Sequence, residues 1–461
     1  MPFCSLSPWP FSCTSSDSSA NGKYAVEGAW ARARDGMGRS HGAPWYYCYL
    51  PHGIAGGATS ALIPLFAYAL GGGLVEIGVV AAATSIASVP AFVLWGVLSD
   101  RLGRRKPFLL LGFLGTAGSF AAMASSSSIL QLYAANVLMG FLGAAAGPVG
   151  TVLVMETSER KLWTKRLALL SRVGSIGWTA GVVVGVGWLA TGTAPSGDLA
   201  TMRVLFLLAS VLNMVAALLA FAWLSEPLAK VDRRHVGVVD LQQRIERGRF
   251  LPMRMLHFLA PRDRGGPSGR LPRSLRVYLV SVFFLFAGFT GFYAFFPIFL
   301  TEELLLSSSE VFVVYLASHA ASSIAYVRTS MWVDRWGTRP MQMYAALGRA
   351  ALFPSFFVLA GLPLSPSARL GLVLALHAGV GLCWAILNVA GATLVSRLAR
   401  EEAHAQAMGA YSAMQGFGSI AGPLLMGFLA GSAGYALAFA WVVALIVTGI
   451  GILAVDRIPE R

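Results

Sequence analysis

The sequence predicts an all-α integral membrane protein: twelve transmembrane helices in two pseudo-symmetric six-helix bundles. Three observations carry that prediction. The 461 residues are 56% hydrophobic with a mean hydropathy of +0.66, more apolar surface than one soluble core of this size can hide. The apolar residues gather in twelve runs, each near the ~20 residues that a hydrocarbon slab roughly 30 Å thick demands of a spanning helix. The last six runs also repeat the first six, with a charged turn at the same place in each set.

The runs, numbered here as segments 1 to 12, occupy residues 46–70, 77–98, 107–125, 129–155, 167–190, 202–224, 275–300, 311–333, 341–361, 369–396, 406–430 and 433–455. The 51 glycines suit helices that pack backbone to backbone in lipid. Residues 1–44 are Ser-rich and irregular, and Pro2, Pro8 and Pro10 interrupt their one apolar stretch. No basic stretch precedes it, so the segment reads as a disordered cytoplasmic tail rather than a signal peptide; translation from Met37 is the competing reading. Residues 45–224 form the first bundle, 225–274 a cytoplasmic linker and 275–457 the second bundle. Within the linker, "VDLQQRIERGRFLPMRMLHFLA" (239–260) reads equally as an amphipathic helix on the inner leaflet or as solvated chain.

The net charge of +14 is a topology signal rather than a nucleic-acid footprint. If odd-numbered segments run outward, the inner loops and tails hold 30 of the 35 Lys and Arg, and the outer turns hold none. The other five, Arg172, Arg203, Arg328, Arg349 and Arg369, lie within segments or at their ends. That bias places both termini in the cytoplasm of a multi-pass protein of the cell membrane. Cys4, Cys13, Cys48 and Cys383 offer neither a close pair nor metal-ligand spacing. No disulfide framework, metal or cofactor is expected.

A shift of 234 residues lays "EIGVVAAATSIASVPAFVLWGVLSDRLGRR" over "EVFVVYLASHAASSIAYVRTSMWVDRWGTR". Glu76 then falls on Glu310, Asp100 on Asp334, Arg101 on Arg335, Gly103 on Gly337 and Arg105 on Arg339. A shift of 241 lays residues 136–181 over 377–422, pairing Gly140 with Gly381, Gly150 with Gly391, Gly177 with Gly418 and Gly181 with Gly422. Glycines coincide easily in such a chain, so the charged match is the stronger one.

"GVLSDRLGRRKP" (96–107) sets five charges between two apolar runs in a chain only 12% charged. Asp100 ends a helix where the macrodipole is negative and a carboxylate is disfavoured, so it needs a partner elsewhere. Gly96, Leu98, Asp100, Arg101, Gly103, Arg104 and Arg105 fill the pattern Gly-x-Leu-x-Asp-Arg-x-Gly-Arg-Arg. In this the chain resembles the major facilitator superfamily, whose characteristic motif stands between segments 2 and 3. Asp334, Arg335, Gly337 and Arg339 make the degenerate second copy, and the resemblance covers residues 45–457. It implies that Asp100 meets the start of segment 11 near Ala405–Met408, and Asp334 the start of segment 5 near Arg166–Leu167. Arg104 and Arg105 can bond loop carboxylates such as Glu156. Such contacts form only with the cytoplasmic side closed, which makes the turns a gate of the outward-facing state.

The resemblance further implies that segments 1, 4, 7 and 10 line a central cavity. On segment 4, Asn136, Gly140, Gly143 and Gly147 share one helical face; segment 10 offers His377, Gly381, Trp384 and Asn388 in the same register. Polar side chains at membrane depth are expensive and tend to be functional. His377, Trp384 and Asn388, facing Asn136, are therefore the expected core of a substrate site, with His52, Phe292 and Tyr293 as weaker members. His52, His319 and His377 are the embedded groups that titrate near neutrality. All 21 Asp and Glu residues lie in loops or at helix ends, so the usual counter-ion for a cationic drug is missing. Among embedded cations, Arg328 is expected to face the cavity, and Arg349, on a peripheral segment, to pack structurally or snorkel.

These features point to a secondary active transporter, working by alternating access on a small organic solute, anionic or neutral. Drug or metabolite efflux by proton antiport is the alternative. Two family patterns count against it: Arg-x-x-Gln-Gly is absent from segment 4, and segment 5 keeps its glycines without the Gly-Pro pair. A transporter-like membrane sensor is a distant third. An enzyme is not expected, since no catalytic motif or cluster of embedded acids is present. The expected partners are a small-molecule substrate and the lipid bilayer, with protons an open third; nucleic acid is not expected, and the chain is read as a monomer.

Overall fold

The computed structural model describes residues 44–157, 163–191, 199–224, 271–399 and 404–455, which are helical almost throughout. After a 3-10 turn at Pro44–Cys48, segment 1 is Tyr49–Thr59 with Leu62–Ala69, segment 2 Leu74–Leu102 and segment 3 Lys106–Ser125. Segment 4 is Ile129–Gly143 with Ala146–Glu156, segment 5 Trp163–Leu189 and segment 6 Leu199–Trp223. The second bundle has Arg273–Glu302, Ser308–Trp336, Thr338–Ala360 and Pro366–Leu398 as segments 7 to 10, and His404–Val455 for segments 11 and 12. The expected tail and nearly all of the linker lie outside the described residues.

Each break in a helix has a local cause. Segments 1 and 4 stop at Ser60 and Ala144, four residues ahead of Pro64 and Pro148, which have no N–H to return to those carbonyls. The long last helix turns its corner at Gly434, whose φ of 83° suits only glycine, and so carries two passes. Segment 8 starts on a capping box, with Ser307 and Glu310 satisfying each other's backbone N–H. Among the described residues, nine helices, the cornered one included, are long and apolar enough to cross a membrane. The fold is an all-helical membrane bundle.

The repeat is visible in atomic contacts. Gly140 of segment 4 presses on the Thr84 carbonyl of segment 2, and Gly381 of segment 10 presses on the Ser318 carbonyl of segment 8. Gly177 and Gly181 meet the Leu50 and Ile54 carbonyls of segment 1; Gly418 and Gly422 meet those of Phe283 and Ala287 in segment 7. Gly150 abuts the Tyr49 hydroxyl, and Gly391 those of Tyr278 and Tyr411. In each of these pairs a Cβ would approach a neighbouring oxygen more closely than real Cβ atoms do, apart from Tyr278 at 3.2 Å. Thr84 thus corresponds to Ser318, Leu50 to Phe283 and Ile54 to Ala287, a register that also lays Pro64 on Pro297.

The halves meet through segments 2 with 11 and 5 with 8. Gly78 and Gly427 touch backbone to backbone, Val75 packs on Gly431, and Phe312 of segment 8 fills the space over Gly185 of segment 5. Midway, Val89 still reaches Gly416. Farther toward the Asp100 turn, Gly96 and Gly409 have nothing among the described residues within 4 Å of where a Cβ would stand. Segments 2 and 11 therefore cross at the end away from the charged turn and splay toward it.

Candidate functional site

At the charged turn, helix 74–102 ends on Gly103 in the left-handed conformation (φ 59°), and the second copy uses Gly337 at φ 87°. Arg105 lies behind Gly103, where Nε and Nη2 grip Glu156 at 2.6–3.1 Å and Nη1 donates to Ser99 Oγ at 2.7 Å. The pair ties the start of segment 3 to the end of segment 4, with only 11% and 31% of the two side chains exposed. Lys106 donates to the Phe221 carbonyl at the end of segment 6, while Arg339 caps Leu453 and Ala454 at the end of segment 12. Cations at helix C-termini are the favourable sense of the macrodipole. Arg104, Asp334 and Arg335 stand exposed. The side chains of Asp100 and Arg101, and those of 404–406 opposite, lie outside the described residues.

The second half holds a buried cation. Arg349 is 2% exposed, and its guanidinium carbon stands 4.6 Å from the Phe289 ring, 4.8 Å from Trp384 and 5.6 Å from Phe353. Nη2 reaches the Val380 carbonyl at the long distance of 3.5 Å; Nε and Nη1 have no acceptor among the described residues. Of the two expected roles, packing or snorkelling, the buried guanidinium takes the first. Segment 9 turns the residue inward because Gly348 takes the Cys383 thiol against its backbone and segments 7 and 10 supply the Phe289 and Trp384 rings. An isolated buried ion costs several kcal/mol even after relaxation. Cation–π contacts return about 2 kcal/mol when desolvated. The described acids, Glu76, Glu156, Glu302, Glu303, Glu310 and Asp334, all stand at helix ends.

Against the same rings lies a cavity of about 10 Å³, lined by Phe286, Phe289, Gln342, Trp384, Asn388 and Tyr411 among others. That is room for one water. Trp384 and Asn388, two of the residues singled out in the sequence, thus share a cavity wall. Asn388 Nδ2 donates to the Tyr326 hydroxyl at 3.2 Å in an exposed pair. Tyr326 lies seven residues from His319, hence on the same helical face, and His319 is bonded to the other half. The Asn388–Tyr326 pair accordingly opens on the gap between the halves, on its splayed side.

The other expected members are elsewhere. His377 is 1% exposed. Its Nδ1 donates to the Val314 carbonyl at 2.8 Å and its Nε2 faces the Tyr293 hydroxyl at 3.3 Å, so the neutral ring is satisfied on both sides. It ties segments 7, 8 and 10 within one half. Asn136 does the equivalent in the first half, accepting from Thr84 at 3.3 Å and donating to the Leu132 carbonyl at 2.9 Å. The two side chains sit inside separate bundles and do not face each other. His52 is held by Asn213 at 2.7 Å. Phe292 is buried in a stack on Phe353 with ring centroids 3.8 Å apart. Arg328 shares an exposed flank with Ile324, Val327 and Met331 rather than a cavity wall.

Two polar links across the halves were not in the expected site. Trp178 Nε1 donates to His319 Nε2 at 3.2 Å, joining segments 5 and 8; the indole is seated over Gly56 of segment 1. Near the far end, Glu302 of segment 7 accepts from Tyr435 at 2.5 Å and is also met by the Tyr68 hydroxyl from the first half. A sequence signal for the chamber exists in the mismatch of the repeats. In the register set by the glycine contacts, Phe289, Arg349 and Trp384 fall on Gly56, Gly115 and Gly143.

A family model described as Major Facilitator Superfamily matches residues 46–388 and 278–460. The chain is 31% identical over 136 residues to the tetracycline resistance protein, class B, of Escherichia coli; the match spans 29% of this chain and 31% of that one, under a third of the relative's length. Among solved structures, the nucleoside transporter NupG superposes with a TM-score of 0.64 at 14% identity, covering 89% of this chain and 96% of that one. The human organic anion transporter MFSD10 superposes with a TM-score of 0.58 at 20% identity, covering 89% and 97%. At such identities the structural likeness speaks for the fold.

Proposed function

The chain belongs to the Major Facilitator Superfamily, and on that premise we propose that it is a secondary active transporter moving a small organic solute, anionic or neutral, across the cytoplasmic membrane. The observation that carries this reading is the splay: segments 2 and 11 cross at Gly78–Gly427 and part by Gly96 and Gly409. A water-sized cavity in the second half has Asn388 in its wall, and Asn388 bonds the exposed hydroxyl of Tyr326. Two bundles joined at one end around such a space can rock, and alternating access requires that motion. We place both termini in the cytoplasm and take residues 45–224 and 275–457 as the rocking bodies. The splayed side is then the cytoplasmic one. The turns at Gly96–Arg105 and Asp334–Arg339 would close it in the opposite state, and the Glu302 link would then open.

Efflux by proton antiport is the second reading, favoured by the likeness to a tetracycline resistance protein. The membrane-embedded acids expected for a cationic drug are lacking among the described residues. The test is flux in proteoliposomes of purified protein, with labelled carboxylates, nucleosides and lipophilic cations and an imposed pH gradient. Counterflow of anions or neutral solutes supports the proposal. Proton-driven movement of cations alone reverses the order of the two readings, and binding without flux defeats both.

A further inference from the structure

We infer that Arg349, with the rings of Phe289, Phe353 and Trp384, is the anion-recognition site of this protein, and that its solute is an organic oxyanion with an apolar body. The inference rests on the transporter reading and names the substrate class within it.

Three observations converge. The guanidinium is buried at 2% exposure in the membrane-spanning region, yet Nε and Nη1 have no acceptor among the described residues. A charge left so far from compensation is retained at a cost that packing alone does not explain, since apolar side chains of similar volume often serve a core as well or better. Every described carboxylate stands at a helix end, so the missing negative charge is not supplied by those residues. Two of the rings that hold the guanidinium, Phe289 and Trp384, are also walls of the cavity, and Asn388 extends that wall to the exposed hydroxyl of Tyr326. The cavity admits no more than a water as it stands, so occupation requires its rings to part. A planar fork of donors is matched to a carboxylate or sulfonate, and flanking aromatic faces suit an apolar body beside it.

The test uses full-length protein in detergent, with thermal stability read against benzoate, benzenesulfonate and the uncharged isostere benzamide at constant ionic strength. A ligand of the native state raises the melting temperature by mass action. One or both anions should raise it by several degrees, and benzamide should not. R349Q should lose the shift, and R349K, which keeps the charge without the fork, should bind several-fold more weakly while melting like the parent. The site is overturned if neither anion separates wild type from R349Q, or if R349K binds with undiminished affinity, a comparison that holds even where R349Q fails to fold. Stabilisation by an uncharged nucleoside, equal in R349Q, removes this site and leaves the transporter reading standing. Anion binding through Arg349 without flux in liposomes does the reverse.

Discussion

The two halves are built by the same backbone contacts and furnished differently. Glycines at matched positions, Gly140 and Gly381, Gly181 and Gly422, press on matched carbonyls, so segments 4 and 10, and 5 and 11, are held alike. Where the second half has Phe289, Arg349 and Trp384 around a cation, the first has Gly56, Gly115 and Gly143. There Trp178 covers Gly56 and Leu142 fills the space over Gly115. The difference teaches that the repeat specifies a scaffold, while each copy fills its interior with its own side chains.

The largest expected effect comes from attacking the shared contacts. G181V and G422V each put a branched side chain into a backbone carbonyl, and both should cost about 3 kcal/mol or more, seen as loss of a monodisperse peak after extraction. Similar damage in both halves is the expected result; a tolerated variant on either side would break the symmetry argument. Next is the chamber. F289A should lower oxyanion binding at least tenfold by deleting a ring 4.6 Å from the guanidinium, whereas G143A, the counterpart of Trp384 in the first half, should leave it within twofold. Equal effects would dissolve the asymmetry.

An intermediate effect is expected at Arg105. R105A strands Glu156 by removing a buried partner, and should slow flux several-fold with unchanged ligand affinity, because the pair positions the turn and lies in the half without Arg349. A smaller effect separates the histidines. An imidazolium cannot accept from Trp178, so acid should loosen the 3.2 Å link between the halves, and H319Q should flatten the pH profile of transport. H377A, by contrast, removes a tie within one half and should lower stability by about 1–2 kcal/mol with the pH profile kept. The sequence alone offers both histidines for the proton, so a profile abolished in H377A and intact in H319Q would move the role to His377.

The fold was legible because charges are rare in this chain and recur in register: Asp100, Gly103 and Arg105 over Asp334, Gly337 and Arg339. The breaks at Ser60 and Ala144 were implicit in Pro64 and Pro148 but hidden by unbroken hydropathy. The site was half legible. Trp384 and Asn388 share a face by helical spacing alone, and they do line the cavity. His377 and Asn136 satisfy the same spacing, yet each bonds within its own half, to Val314 and Thr84; spacing on one helix does not say which neighbour fills the position. Arg349 was missed for the same reason. Its inward turn depends on rings from segments 7 and 10, which become neighbours only in the folded bundle.

The most direct test of the central claim is a pair of spin-label distances in proteoliposomes. One pair spans Val79 and Phe428 beside the crossing, the other Gly96 and Gly409 on the splayed side. Addition of a transported anion should lengthen the first and shorten the second together, and R349Q should not respond. Distances that stay fixed while flux proceeds would contradict the rocking account and the place given to Arg349 within it.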